Sequence, residues 1–328
     1  MRDTSETHAV KLVDYPLVKR LSETGAVLDC ELCFTQNAGS AYQGSLFFNL
    51  LVQPYRGVHT LITRANGQPV VGQFRLKPDE HCAHMAYIAP APLDEDQDDT
   101  AWLHLLDAMA VEAGKRGAHL LAAEVDEHVP LFKTMRTASY SIYARQEIWQ
   151  FMPEAARLPE RQADIVEATE TDWLEIQVLY ANIVPRLVQQ IPDLPGDGHG
   201  LVYRRNDRIE GYIAVAEGKS GVYLMPHLHP DIFDEAPAII TAAVTRYHRG
   251  GKLPVYVRVR RYQDWLDDAL IDLGFECRAR QAVMVKHIAA GVRTTTFVPL
   301  HRKLDVVSSP VKPPTSGCTE THIRVHKE

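Results

Sequence analysis

The sequence predicts an α/β protein built as two tandem copies of one domain, each a mixed, mostly antiparallel central sheet flanked by helices. Three observations carry this. Ala144-Arg145-Gln146 recurs as Ala279-Arg280-Gln281, a spacing of 135 residues. Tyr87-Ile88-Ala89-Pro90 lines up with Tyr223-Leu224-Met225-Pro226 at a spacing of 136. The expected elements also come in one order in both stretches: hairpin, strand stopping at proline, helix, strand, short helix, final strand. An echo at fixed period decides how many folds a chain holds, and two copies are too few for a solenoid. At 328 residues the chain is long for one domain and comfortable for two. The division reads as a first domain over 1–152, a linker over 153–163 containing Pro153 and Pro159, a second domain over 164–289, and a tail over 290–328. Pro299, Pro310, Pro313 and Pro314, with scattered Ser and Thr, make that tail read as flexible and dispensable to the core.

Each element of the first copy has its own signal. Leu17, Val18 and Leu21 recur at helical spacing over 15–25, and a second apolar helix is expected over 42–52. Asn66-Gly67 between two alternating apolar runs is a strong hairpin signal, placing strands over 58–64 and 70–76. A strand over 83–89 should stop at Pro90, since proline cannot donate to a ladder. Leu105, Leu106, Met109 and Ala113 mark one face of a helix over 102–116, closed by Gly117. Consecutive apolar residues over 120–125 suit a strand buried on both faces. A short helix over 130–136 and a strand over 141–151 complete the copy.

The second copy repeats the plan. A helix over 173–191 should be kinked or split at Pro185. Asn206-Asp207 turns a hairpin over 201–215, and a strand over 222–225 should end at Pro226. A helix over 238–248, a strand over 255–259, a helix over 265–273 and a strand region over 275–287 follow.

Composition excludes several classes. The chain is 45% apolar and 23% charged with a net charge of −7, not the basic excess of a nucleic-acid binder. No stretch approaches 18 continuous apolar residues, and the first residues are polar, so neither a membrane span nor a signal peptide is expected. Five scattered cysteines suit a reducing compartment, and a cytoplasmic location is the expectation.

Paired helices, a strand meander, then helix, strand, helix and strand resemble the GNAT (GCN5-related N-acetyltransferase) superfamily. Leu273-Gly274-Phe275 looks like the family's step into its penultimate strand, and Ser139-Tyr140 holds that place in the first copy. The resemblance covers roughly 10–151 and 165–286. It implies acetyl-CoA bound where two central strands splay apart, with its pyrophosphate on backbone N–H groups at the start of the next helix. Glycine lets a backbone approach phosphate, and a helix N-terminus supplies donors. The first loop, 90–100, instead holds Pro90, Pro92 and five carboxylates from Asp94 to Asp99, with no glycine. The second, 226–237, also lacks glycine. Acetyl-CoA is therefore expected to bind weakly or not at all. Those acids also suit the start of a helix, where they cap free N–H groups.

The resemblance further implies a strand carboxylate acting as base, which points to Glu124, and a cofactor cleft beside Tyr87, Ile88 and Ala89. Glu124 reads equally as a strand-end charge satisfied by an arginine or by water, since a carboxylate in an apolar strand needs a partner. The family's thiolate-protonating tyrosine has no counterpart, because neither 131–136 nor 265–272 contains tyrosine. Tyr140 and Tyr143 read as packing residues. Cys30-x-x-Cys33 has the spacing of half a zinc site but continues a helical pattern, and no second pair follows. His81, Cys82 and His84 alternate along a strand, and His227-x-His229 reads as an exposed turn or a ligand pair.

Two functions remain open at this level. One is an N-acyltransferase moving an acyl group from acyl-CoA to a small-molecule amine, in the first domain. The other is a non-catalytic descendant whose cleft holds a small ligand or a protein partner.

Overall fold

The computed structural model describes residues 6–36, 57–78, 80–156, 158–159, 162–194, 199–248 and 253–288. The helix expected over 42–52 and the tail over 290–328 lie outside the described residues. The first copy holds β1 (Glu6–Ala9), α1 (Tyr15–Leu21), β2 (Ala26–Val27), α2 (Cys30–Gln36), β3 (Val58–Ala65), β4 (Gln68–Arg75) and β5 (Cys82–Ala89). It continues through α3 (Thr100–Lys115), β6 (Leu120–Asp126), α4 (Pro130–Thr137) and β7 (Ser141–Phe151). The second copy holds β8 (Ile165–Glu167), α5 (Trp173–Ile183), β9 (Gly200–Arg205), β10 (Arg208–Glu217) and β11 (Val222–Leu228). It closes with α6 (Ala236–Tyr247), β12 (Val255–Arg260), α7 (Asp267–Asp272) and β13 (Phe275–His287).

Local signals did their expected work. Asn66 and Gly67 adopt positive φ at the tip of the β3–β4 hairpin, and Asn206 and Asp207 do so in β9–β10. A two-residue turn with both φ positive matches the right-handed twist of the flanking strands. α5 stops at Ile183, two residues before Pro185, and only a short 3-10 turn (Val188–Gln190) follows. α3 buries Trp102, Leu105, Leu106, Met109 and Ala113 against the first half of the sheet. Each large side chain fully buried this way contributes about 1.5–3 kcal/mol relative to exposure.

Both copies merge into one thirteen-stranded sheet ordered β1-β3-β4-β5-β6-β13-β7-β12-β11-β10-β9-β8, with β2 pairing off this path to β5. The last strands of the two copies are exchanged. β13 lies between β6 and β7, and β7 pairs on its other side with β12. Packing follows the exchange. Ala282 and Met284 of β13 belong to the core under α3, while Trp149 and Phe151 of β7 join the core of the second half with Val257 and Ile240.

The repeat is real, but its period is not constant. From β7 onward the spacing of 135 fits, and Gln146 pairs with its own counterpart Gln281, while the ladders set β6 and β12 at a spacing of 134. The hairpin turns at Asn66 and Asn206 are 140 residues apart, and the buried caps Asp14 and Asp172 are 158 apart. The first copy is longer early in the chain, which stretches the offset there. Tyr87 and Tyr223 accordingly occupy equivalent strands at different registers. Tyr223 pairs with Tyr256 as Ala83, not Tyr87, pairs with Leu121.

β11 also corrects an expectation by running through Pro226 to Leu228. His229 N donates to Glu210 O and Val222 N donates to Pro254 O, so even-numbered N–H positions of β11 face β12. The β11–β12 ladder ends at Leu224. Pro226 therefore lacks its N–H on the side where no strand asks for one.

Candidate functional site

Two wedges open in this sheet. β5 and β6 pair in parallel only from Cys82–Leu120 to His84–Ala122, and β11 and β12 only from Val222–Val255 to Leu224–Val257. Beyond these pairs the strands separate.

The protein's own backbone fills the first wedge. β2 pairs with β5 through Ala26–Ile88 and Val27–Tyr87. Leu28 N donates to Ala86 O at 3.0 Å, and Glu124 N donates to Leu28 O at 2.9 Å. Residues 26–28 thus bridge β5 and β6 as an extra strand would. Tyr87 is 1% exposed, and burial raises its phenol above the ordinary value. A Cβ added at Gly25 would fall inside that phenol ring, so glycine permits the close approach. Of the three residues singled out for a cofactor, Tyr87 and Ile88 spend their open edge on β2, and Ala89 pairs with Val71 of β4.

Glu124 stands at the wall of this wedge. Its Oε2 accepts from Cys30 N at 2.7 Å and its Oε1 from Gln146 Nε2 at 3.1 Å. The carboxylate is satisfied by the first N–H of α2 and by an amide, rather than by an arginine. Gln146 Nε2 also reaches Gln281 Oε1 at 3.1 Å, and Cys30 Sγ donates to the same oxygen at 2.6 Å. Burial pushes the Cys30 thiol well above its ordinary range, which keeps it protonated and unreactive. Cys30 and Cys33 lie on α2, as the helix reading held.

The second wedge has different chemistry. Arg258 occupies the register of Glu124, since Glu124 pairs with Val283 and Arg258 with Ile148, its equivalent at the 135-residue spacing. Asp193 accepts from Arg258 Nη1 and Nη2, both at 2.6 Å, and from Arg260 Nη2 at 3.3 Å. Burial opposes the Asp193 charge, but the two guanidinium groups outweigh it and hold the carboxyl well below its usual range. Among the described residues, Arg258 Nε, Arg260 Nε and Nη1, and the hydroxyls of Tyr180, Tyr223 and Tyr262 are buried without hydrogen-bond partners. His227 is no exposed turn: it is 1% exposed on β11, with both ring nitrogens unpartnered among the described residues. Desolvation, opposed by Asp193 and helped by the arginines, lowers its pKa to about 4. His229 starts the next 3-10 turn, its Nδ1 accepting from Asp231 N. Sequence reasoning missed Asp193, Arg258 and Arg260. The alternation Arg258-Val259-Arg260 in an otherwise apolar strand was the available signal.

Between the two wedges lies a cavity of about 670 Å³. Asp29, Glu31 and Glu124 of the first copy and Tyr223, Arg258 and Arg260 of the second line it. Arg75 closes an ion pair with Asp29. Away from it, the acidic loop before α3 is held locally. Asp98 Oδ1 accepts from Thr100 N, Asp94 Oδ1 accepts from Asp96 N, and Asn66 Nδ2 reaches Asp98 Oδ2. Of these only the Thr100 N–H belongs to α3, and Asp99 at the helix start makes no side-chain capping bond. Residues that would hold an acyl-CoA therefore fit it poorly. One wedge is occupied by backbone, the other presents Pro226 where a donor would serve, and neither loop is a phosphate cradle.

No protein-family model and no curated protein sequence matches the chain. Among solved structures it is similar to a GCN5-related N-acetyltransferase from Sphaerobacter thermophilus, at 12% identity over 87% of this chain and 96% of that one, with a TM-score of 0.54. It is also similar to a candidate acetyltransferase from Pyrococcus horikoshii, at 12% identity over 86% of this chain and 89% of that one, with a TM-score of 0.51. A tandem GNAT protein from the clavulanic acid biosynthesis pathway aligns at 13% identity over 87% of this chain and 98% of that one, with a TM-score of 0.49. The first two alignments take in both halves.

Proposed function

We propose that this chain, whose fold is that of a tandem GNAT protein, uses the cavity between its halves to bind a small ligand and does not load acyl-CoA into its first wedge. The observation that carries this is the backbone bridge Ala86–Leu28–Glu124. Two main-chain hydrogen bonds and the β2 pairing would have to break before a pantetheine arm could take the same donors and acceptors. Each net loss costs about 1 kcal/mol, and more if the freed groups stay buried. The loop over 90–100 offers no compensating phosphate site. The cavity, by contrast, has charged groups of both signs in its lining.

A second reading is favoured by the neighbours themselves, which are described as N-acetyltransferases, and by Glu124 lining the cavity. In that reading the chain is an N-acyltransferase for a small amine, and residues 26–30 withdraw to admit the acyl donor. Calorimetric titration with acetyl-CoA separates the two. The ligand-binding reading expects no saturation tighter than about the millimolar range, or about −4 kcal/mol. Micromolar binding would put the acyltransferase reading first. The four described cysteines are all unpaired, which suits a reducing cytoplasm. Among the described residues no helix is long and apolar enough to cross a membrane.

A further inference from the structure

We propose that the cavity takes an ω-amino carboxylate, its carboxylate on the guanidinium groups of Arg258 and Arg260 and its distal ammonium on Glu124 and Glu31. The proposal rests on the ligand-binding reading above and names the ligand's chemistry.

The anionic end follows from the donors left over around Asp193. Arg258 and Arg260 are 4% and 2% exposed, and both line the cavity. One carboxylate, Asp193, stands against two guanidinium groups, so the cluster carries one uncompensated positive charge. Arg258 Nε, Arg260 Nε and Nη1, and the Tyr223 hydroxyl are buried donors with no partner among the described residues. A buried donor left without a bond keeps its full desolvation penalty, and a charged group keeps a larger one. A single monoanion neutralises the cluster and accepts these bonds, and planar two-oxygen geometry suits a guanidinium. A phosphate dianion would overshoot that charge and face the carboxylates of the opposite wall.

The cationic end follows from that wall. Glu124 uses one bond on each oxygen and keeps acceptor capacity, because a carboxylate offers about four lone-pair sites. Glu31 also lines the cavity and forms no ion pair among the described residues. Desolvation and the neighbouring Asp29 raise its pKa, and the charges of Arg75 and Lys77 oppose them.

The spacing of the two ends selects the ligand's length. Asp126, Gln281, Gln146 and Arg260 form one row across β6, β13, β7 and β12, and Glu124 lies two residues along β6 from that row. Three inter-strand steps of about 4.8 Å set β6 and β12 about 14 Å apart. The glutamate and arginine side chains close part of that span from either end. An α-amino acid carries both charges on one carbon and cannot reach both walls. A chain of several methylenes between them can.

The test titrates the full chain with 6-aminohexanoate, hexanoate and hexylamine. Saturable binding of 6-aminohexanoate is expected, with hexanoate and hexylamine each weaker by about tenfold or more, the worth of one charged hydrogen-bonded contact. Arg260→Gln should weaken 6-aminohexanoate by about tenfold and leave hexylamine unchanged. Should that variant misfold, Tyr223→Phe removes one donor with the ring kept and should weaken 6-aminohexanoate severalfold. Equal binding of 6-aminohexanoate and hexylamine, or no loss in either folded variant, would overturn the proposal. So would the absence of binding by all three, and the acetyl-CoA titration would still decide the broader reading.

Discussion

Gln146 and Gln281 face each other across the β7–β13 ladder, and Gln146 Nε2 donates to Gln281 Oε1 at 3.1 Å. They are the same residue of the two copies, so the pair marks the point about which the copies trade their final strands. Everything to one side of it depends on the other copy. β6 is completed by β13, and β12 by β7.

Neither half should therefore fold alone. A fragment of residues 1–156 lacks β13, which leaves one edge of β6 unpaired and the α3 core short of Ala282 and Met284. It should show no cooperative thermal transition. Mixing with a fragment of residues 162–328 should restore the near-ultraviolet circular dichroism of the intact chain. A cooperative melt of 1–156 by itself would mean that β7 folds back onto β6 and that the exchange is optional.

Glu124 holds α2 against the sheet, whatever chemistry it performs. Glu124→Gln keeps the volume but loses charge and one acceptor, and should destabilise by about 1–3 kcal/mol, the range for hydrogen bonds to charged groups. Urea denaturation reads this directly. A neutral effect would show that the bonds from Cys30 N and Gln146 Nε2 carry no net stability.

His227 makes stability depend on pH. Its folded pKa of about 4 lies below the ordinary 6.5, so the unfolded chain binds the extra proton between those values. Stability is then fully present above pH 6.5 and falls as the pH drops toward 4. The loss is at most roughly 3 kcal/mol at one proton and 1.4 kcal/mol per pH unit. Asp193, Arg258 and Arg260 act on this ring by charge, and Tyr180 and Tyr212 pack against it. Asp267, raised to about 6 by burial and by Glu147, gives the opposite slope over part of that window. Comparing wild type with His227→Phe cancels it. The variant should lose less stability between pH 6.5 and 4.5, and parallel curves would contradict the assignment.

The exchange about Gln146 also shows where sequence reasoning reaches its limit. Hairpin turns, the α3 stripe and the end of α5 near Pro185 are local chemistry, and each was legible. The repeat was legible because Ala144-Arg145-Gln146 and its copy sit on the paired strands. Which copy's β6 a strand would join was not, since β7 and β13 carry nearly the same pattern and either edge would accept either strand. β2 is two residues long, too short for any periodicity, yet it decides what fills the first wedge. Pro226 misled because the rule against proline in a central strand assumes neighbours along its whole length. Glu124 was legible as a residue needing a partner, but a backbone N–H from 94 residues away has no sequence signature.

Hydrogen exchange at three amides tests the central claim most directly. Leu28 N–H and Glu124 N–H form the bridge across the first wedge, and Cys30 N–H seats α2 on Glu124. The account predicts slow exchange at all three, comparable to the middle of β6, and no change when acetyl-CoA is added at about a millimolar. Fast exchange in the free protein, or loss of protection at Leu28 and Glu124 on adding acetyl-CoA, would contradict it and show a wedge that opens to receive the cofactor.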